Sequence, residues 1–164
     1  MQLSHQKISP FLWFDTQAEE AAEFYVSIFE DSRIVAISRY SEAGKERHGK
    51  EPGSAMVVSF ELCGQKFSAL NGGPQFKFSE AISFAVGCET QAEIDHYWSK
   101  LTEGGQESQC GWLKDRFGVS WQIVPSILPE LLTGSDRDAA NRVTQAFMQM
   151  KKFDIEALER AAKG

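Results

Sequence analysis

The stretch Asp15–Glu19, which reads DTQAE, returns almost unchanged as ETQAE at Glu89–Glu93. In each copy an apolar run precedes the stretch, and a Glu follows the Thr by three residues. Thr and Glu at this spacing form a capping box, in which each side chain bonds the backbone of the other at the start of a helix. The repeat therefore predicts two similar modules, in each of which a strand leads into a helix beginning near Thr16 or Thr90. The alternative is two unrelated helices that share the same cap chemistry.

Hydrophobic periodicity extends each module beyond its helix. Apolar residues spaced i, i+3, i+4 and i+7 from Ala18 indicate an amphipathic first helix, and the second helix is expected to stop at Gly104 and Gly105. Apolar runs bounded by turn residues indicate strands at 7–15, 34–40, 55–62 and 66–70, and again at 80–87, 107–112 and 119–125. The glycine-rich residues 41–53 are expected to form a long, mobile loop.

We expect a single domain, residues 1–164, made of modules at 7–74 and 79–125 and a helical tail at 126–164. The tail shows a short helix near Pro129 that ends at Gly134, followed by helical spacing at 139–150 and 155–162. Isolated helices of this length are unstable in water, so their apolar faces must pack on the body or on a second subunit. A homodimer is the expected assembly.

Composition excludes several classes of protein. A net charge of −6 argues against nucleic-acid binding, which depends on clustered Lys and Arg. No apolar run approaches the roughly 20 residues that cross a bilayer, and residues 1–7 lack the apolar core of a secretory signal. The three cysteines are an odd number without a Cys-x-x-Cys pair, so neither a disulfide framework nor a zinc ribbon is indicated. We expect a cytoplasmic protein that binds neither nucleic acids nor membranes.

Three segments carry a family resemblance: the Phe24–Tyr25 pair, residues 10–15 (PFLWFD) and the closing hairpin at 110–125 (CGWLKDRFGVSWQIVP). With the paired modules and the Met-Lys-Lys run at 150–152, they resemble the PhnB-like branch of the vicinal-oxygen-chelate superfamily. That superfamily includes glyoxalase I, bleomycin-resistance proteins and extradiol dioxygenases, and the branch is often labelled a 3-demethylubiquinone methyltransferase domain. The resemblance implies an α+β fold in which tandem βαβββ modules form a curved mixed sheet, extended here by carboxy-terminal helices.

In metal-using members of the superfamily, His or Glu side chains at four strand positions hold a divalent metal. The resemblance aligns these positions with Pro10, Asn71, Ala81 and Gln122. Pro and Ala offer no side-chain donor, and neutral amide oxygens suit hard cations only in company with carboxylates. The strand-to-helix joints also lack the glycine-rich loop typical of nucleotide-type cofactors. We therefore expect no metal and no cofactor.

The resemblance implies that the curved strands form a cup, which in this sequence would be lined by polar side chains that do not bind a metal. A mostly apolar concavity with few polar groups is typical of small-molecule sites. The candidate ligand-binding residues are Asn71, Ser83, Trp112, Ser120 and Gln122, with Asp115 at the rim and Phe67, Phe76 and Phe78 as further walls. The leading hypothesis is a metal-independent protein that binds a small organic molecule, with no catalytic residue assigned. The alternatives are a metal-dependent lyase or dioxygenase with displaced ligands, a methyltransferase and a purely structural dimer.

Overall fold

The structure, a computed structural model, describes residues 6–164. Within it the chain forms two compact units, one ending at Lys77 and the other comprising Phe78–Gly164. His5 and residues 1–4, which belong to the stretch that lacks the pattern of a secretory signal, lie outside the described residues. None of the described helices is both long and apolar enough to cross a bilayer.

The amino-terminal unit contains one sheet and one long helix. Its elements are β1 (Phe11–Phe14), α1 (Ala18–Ile28), β2 (Arg33–Arg39), the single turn α2 (Lys45–His48), β3 (Ala55–Leu62) and β4 (Gln65–Asn71). The strands hydrogen-bond in the order β1-β4-β3-β2. Strand β1 runs parallel to β4, and the other neighbours are antiparallel.

The carboxy-terminal unit repeats this plan and adds the tail. Its elements are β5 (Ser83–Cys88), α3 (Gln91–Thr102), β6 (Gln106–Glu107), β7 (Trp112–Lys114), β8 (Ser120–Pro125), α4 (Leu128–Thr133), α5 (Arg137–Phe147) and α6 (Ile155–Lys163). The strand order is β5-β8-β7-β6, again with the first strand of the unit at the edge of the sheet and parallel to its neighbour, here β5 beside β8. The matching orders confirm the tandem βαβββ modules, although the strands form two four-stranded sheets and not one continuous sheet.

Each long helix covers one face of its own sheet. Because successive strand residues point to opposite faces, every second residue of a strand lies beneath the helix. The buried residues of this kind are Val58, Phe60, Phe67 and Ala69 on the α1 side and Leu113, Trp121 and Ile123 on the α3 side. They meet the buried helix residues Ala18, Ala21, Ala22, Tyr25 and Ile28 of α1 and Ile94, Trp98 and Leu101 of α3.

The two helices begin with different caps. Thr90 and Glu93 form the predicted capping box at the start of α3, with each side chain bonded to the backbone of the other. The capping box predicted at Thr16 is wrong, because α1 has Gln17 as its cap residue and no side-chain hydrogen bond from it. The amide of Ala18 instead donates to Oδ1 of Asn71 at 2.8 Å. A residue from the neighbouring strand β4 thus caps the first helix.

The tail packs on its own unit and divides a predicted strand. The strand expected at 107–112 is interrupted between β6 and β7, where Cys110 and Gly111 have φ of 57° and 80°. Their amides donate to the carbonyls of Met150 and Lys151 at 2.8 and 2.7 Å. Phe153, only 2% exposed, is buried beside this segment. The tail therefore takes the hydrogen bonds that a continuous strand would have used.

The glycine-rich loop at 41–53 contains more structure than its composition indicates. The turn α2 lies between Gly44 and Gly49, whose φ values of 77° and 62° are in the left-handed region that glycine adopts readily. At the base of the loop, Tyr40 Oη donates to the carbonyl of Asn71 at 2.7 Å. The loop is thereby tied to the end of β4.

Candidate functional site

One face of the carboxy-terminal sheet carries the polar side chains that the sequence singled out. Strand register places Ser83, Ser120 and Lys114 directly opposite one another on β5, β8 and β7, and Gln106 opposite Lys114 on β6. Residues paired in this way project from the same face of a sheet. Trp112 and Gln122 form the next row along the strands. We call this surface the polar face; it lies opposite the face that α3 covers.

A cavity of about 400 Å³ opens on the polar face. This volume lies within the range of small-molecule pockets. The lining residues, which all belong to the carboxy-terminal unit, are Glu80, Gln106, Glu107, Ser108, Trp112, Leu113, Lys114 and Ser120. The cavity therefore includes two of the sequence-predicted ligand-binding residues, Trp112 and Ser120.

Ser120 is the unusual member of this lining. The residue is only 2% exposed, and its Oγ has no hydrogen-bond partner within residues 6–164. An unpaired hydroxyl buried away from water costs about 1–3 kcal/mol, so buried polar atoms without partners are uncommon. A hydroxyl of this kind, on a residue that lines a cavity, can donate a hydrogen bond to a bound molecule or accept one from it.

An ion pair borders the cavity beside Ser120. The ammonium group of Lys114 contacts the carboxylate of Glu80, whose side chain is 64% exposed. The hydrogen bond from Lys114 holds the pKa of Glu80 below its usual value. Glu80 is therefore ionised at neutral pH.

The second carboxylate in the lining, that of Glu107, makes contacts that support the fold. Its Oε1 accepts a hydrogen bond from Nε1 of Trp98 at 2.9 Å, which joins β6 to α3. Its Oε2 lies 3.7 Å from Nζ of Lys151 in the tail. Glu107 thus connects β6 to α3 and to the tail. Its charge is balanced by Lys151, which does not line the cavity.

Ser83 and Gln122 lie on the polar face as neighbours, but neither lines the cavity. Nε2 of Gln122 donates to Oγ of Ser83 at 2.9 Å. The pair links the parallel strands β5 and β8 next to Ser120. It leaves the amide oxygen of Gln122 on the polar face as a further acceptor.

The sequence-based position of Asn71 needs correction. Asn71 shares its side of β4 with Phe67 and Ala69, which lie on the side that α1 covers, and is itself 8% exposed. Besides accepting from Ala18, its amide donates through Nδ2 to the carbonyl of Ala55 at 3.1 Å. The side chain therefore lies on the helix-covered side of the amino-terminal sheet and joins α1 to β3.

Asp115 also differs from the expected rim position, because it is 3% exposed. Its Oδ1 accepts from the amides of Phe117 and Val119 at 2.9 and 3.0 Å. Its Oδ2 accepts from Nε1 of Trp121 at 2.9 Å. The carboxylate closes the turn between β7 and β8 and lies inside the protein.

The predicted aromatic walls are distributed over both units. Phe67 is 8% exposed and stacks with Phe60 on the side covered by α1, so it is not on the opposite face of its sheet. Phe76 is 65% exposed and contacts Trp13 edge to face. Phe78 is half-buried and does not line the cavity. Of the predicted aromatic residues, Trp112 lines the cavity.

Sequence reasoning missed most of the charged lining. Lys114 follows Trp112 by two residues, so strand alternation alone could have placed both on one face. Glu80, expected at the start of the strand at 80–87, lies in the turn before β5, and nothing in its local sequence indicates that it meets Lys114. Gln106 lies just before the predicted strand and Ser108 lies in its break between β6 and β7, so the periodicity of the sequence did not indicate the orientation of either residue.

The thiols of this unit do not form a nucleophilic site in the cavity. Cys88 is buried, and burial, with a contribution from Glu93, raises the pKa of its thiol to about 12. Sγ of Cys110 lies 3.8 Å from the carbonyl oxygen of Phe147 in the tail. Neither residue belongs to the lining.

The residues at the superfamily's metal positions do not fit a metal. The oxygen and the nitrogen of the Asn71 amide are bonded to Ala18 and Ala55, whereas Gln122, which donates to Ser83, offers one neutral oxygen of the kind that holds a hard cation only in company with carboxylates. Pro10 and Ala81 have no donor side chain. Within residues 6–164 there is no group of three or more His, Cys, Asp or Glu side chains placed to hold a metal ion.

Two βαβββ units with this strand order define the glyoxalase/bleomycin-resistance class of the vicinal-oxygen-chelate superfamily. A family model described as 3-demethylubiquinone-9 3-methyltransferase matches residues 6–124. The chain belongs to this family. The match ends before the helical tail.

Solved structures support the assignment. A protein from Bacillus cereus, described as a 3-demethylubiquinone-9 3-methyltransferase and PhnB protein, is 39% identical with a TM-score of 0.65, over 73% of this chain and 99% of that one. Protein PA1353 from Pseudomonas aeruginosa is 21% identical with a TM-score of 0.57, over 72% and 96% of the two chains. The fosfomycin resistance protein FosX from Listeria monocytogenes, solved with Mn(II) and sulfate, is 14% identical with a TM-score of 0.52, over 79% and 95%. The last two show the fold alone. No curated protein matches the sequence.

Proposed function

We propose that the protein binds a small organic molecule in the cavity of its carboxy-terminal unit, without a metal ion. The observation that carries this proposal is the buried hydroxyl of Ser120, a residue of the cavity lining on the polar face, which lacks a partner in the described part of the chain. Folding has left unsatisfied a group that a ligand can satisfy.

Each neighbouring side chain has a part in the proposed binding. Trp112 offers a large, rigid surface for the apolar part of the ligand, as aromatic residues do in small-molecule sites. The hydrogen bond between Gln122 and Ser83 holds β5 and β8 in register beside Ser120. Asn71 and Asp115 are left out of the proposed set, because their polar atoms are engaged in hydrogen bonds that support the fold.

Methyl transfer, which the family description names, is not extended to this chain. A nucleotide-type cofactor is commonly held by free amides at a strand-to-helix joint. Here the joint before α1 is capped by Asn71 and that before α3 by Thr90 and Glu93. Neither joint contains a glycine-rich loop that could hold such a cofactor. The metal-dependent reactions of the superfamily are also not proposed, because the donor set does not fit.

Replacement of Ser120 by alanine is expected to separate binding from stability. Removing an unpaired buried hydroxyl should leave the free energy of unfolding unchanged or raise it by about 1 kcal/mol. The same change should weaken ligand binding by about 1–3 kcal/mol, since the polar group of the ligand loses its partner. The measurement is a thermal-shift screen of small organic molecules on wild type, followed by titration of the hits against the variant.

Ser68→Ala provides the matched control, because Ser68 is a half-buried serine on β4 in the other unit. It should leave every affinity unchanged, while Trp112→Ala should weaken the same hits as Ser120→Ala. Hits that bind Ser120→Ala and Trp112→Ala as tightly as wild type would show that the cavity is not the binding site.

We also propose that the chain acts as a cytoplasmic homodimer. Several large apolar residues are more than half exposed in the single chain: Ile8, Phe11, Val35, Phe76, Ile82 and Met148. Large apolar side chains exposed to solvent are favourable material for a subunit contact. Light scattering should give twice the chain mass of 18.4 kDa, and a mass of one chain at micromolar concentration would contradict the dimer.

The cytoplasmic location is supported by three free cysteines, which suit a reducing compartment. Recovery of the protein from the culture medium would contradict it.

A further inference from the structure

We propose that the cavity takes an organic anion, whose carboxylate or comparable oxyanion displaces Glu80 from Lys114 and accepts a hydrogen bond from Ser120. This inference rests on the proposed function, because it names the class of ligand for the same cavity. Three groups carry it: a cation and a buried hydroxyl on neighbouring strands, and a carboxylate in the turn before β5.

Lys114 and Ser120 form a ready-made pair of donors. They are directly opposite each other on β7 and β8, so both side chains project from the polar face. An ammonium group has three N–H donors and a hydroxyl has one. A group whose two oxygens share a negative charge can accept from both donors, and such charge-assisted hydrogen bonds are stronger than neutral ones. The ligand would thereby satisfy the unpaired Oγ of Ser120.

Glu80 occupies the place of that anion in the free protein. The side chain of Lys114 is 33% exposed, whereas that of Glu80 is 64% exposed and belongs to the turn that precedes β5. Ion pairs this exposed contribute little to stability, so exchange of one carboxylate for another costs little. Lys114 is fixed by its strand, and Glu80 is therefore the partner that leaves.

The remaining charges favour an anion over a cation. Glu107, the other acidic residue of the lining, is bonded to Trp98 and lies near Lys151. Once Glu80 has moved, the charge that faces the cavity is the ammonium of Lys114. Trp112 supplies a surface for an aromatic or apolar body. The geometry therefore suits an anion attached to such a body.

Benzoate and its neutral isostere benzamide test this inference. Each is titrated into isotopically labelled protein, and binding is followed by the backbone NMR shifts of the cavity residues. Benzoate should bind wild type at least about tenfold more tightly than benzamide, because only benzoate pairs with Lys114. Lys114→Met should abolish the difference, and Glu80→Gln should tighten benzoate several-fold without changing benzamide. Lys100→Met, which removes an exposed lysine of α3, should change neither affinity.

The outcomes distinguish this inference from the function on which it rests. Equal binding of benzoate and benzamide, both weakened by Trp112→Ala, would overturn the preference for anions and keep the cavity as the site. Tighter binding of benzylamine than of benzoate, lost in Glu80→Gln, would show that a cation displaces Lys114 and would also overturn it. The proposed function itself would be overturned if none of the three probes shifted the signals of the cavity residues and if Trp112→Ala left the affinity of the screening hits unchanged.

Discussion

Replacement of Asp115 by alanine is expected to lower the free energy of unfolding by about 4 kcal/mol, because three donors, two of them buried, then lose their acceptor. The donors are the amides of Phe117 and Val119 and Nε1 of Trp121. The carboxylate itself is only 3% exposed, so water cannot readily replace it. Chemical denaturation of wild type and variant measures the difference.

Two further variants identify the cause of that loss. Asp115→Asn keeps the shape and one acceptor oxygen, so it should cost less than Asp115→Ala. In a Trp121→Phe background the alanine substitution should also cost less, because one of the three donors is already gone; the double-mutant cycle isolates this pair. A loss below about 1 kcal/mol for Asp115→Ala would indicate a solvated carboxylate, as at the rim position first expected from the sequence.

Gly111→Ala is expected to lower the free energy of unfolding by about 3 kcal/mol through strain and overpacking combined. Gly111 has a φ of 80°, which L side chains rarely adopt, and an added Cβ would lie 2.4 Å from Cε2 of Phe153 and 2.7 Å from the carbonyl oxygen of Ile123. Because the Gly111 amide also bonds Lys151, the change should loosen the tail. Hydrogen exchange at residues 150–153 should accelerate.

Gly118 is the matched control for this prediction. Its φ of 89° imposes the same backbone strain, but nothing lies within 4 Å of an added Cβ. Gly118→Ala should therefore cost about 1–2 kcal/mol and leave exchange in the tail unchanged. Equal losses for the two variants would show that the contact of Gly111 with Phe153 contributes nothing.

Local patterns predicted the fold where interactions are local. The repeat of DTQAE as ETQAE, the helical spacing and the turn signals gave both modules, and the capping box at Thr90 is present. The equivalent box at Thr16 is absent, because Asn71, distant in sequence, supplies the cap. The strand expected at 107–112 is broken for a similar reason, since Met150 and Lys151 bond its backbone. Both errors come from hydrogen bonds between distant segments.

The site was predictable only in part, because a buried structural polar residue and a ligand-binding one look alike in sequence. Asn71 and Asp115 were grouped with Ser120, yet their polar atoms are paired within the protein and that of Ser120 is not. Alternation along β7 could have added Lys114 to the site. The contact with Glu80 depends on the fold around the turn before β5 and has no sequence signature.

The melting temperature of chelator-treated protein, with and without added manganese, nickel or zinc, tests the proposed metal-independent site most directly. The amide oxygen of Asn71 is bonded to Ala18, Pro10 and Ala81 offer no donor, and Gln122 offers a single neutral oxygen, so the melting temperature should change by less than about 1 °C. A true site filled at a thousand times its Kd would add about 4 kcal/mol. For a protein of this size that corresponds to a rise of roughly 8–16 °C, and such a rise would contradict the proposal.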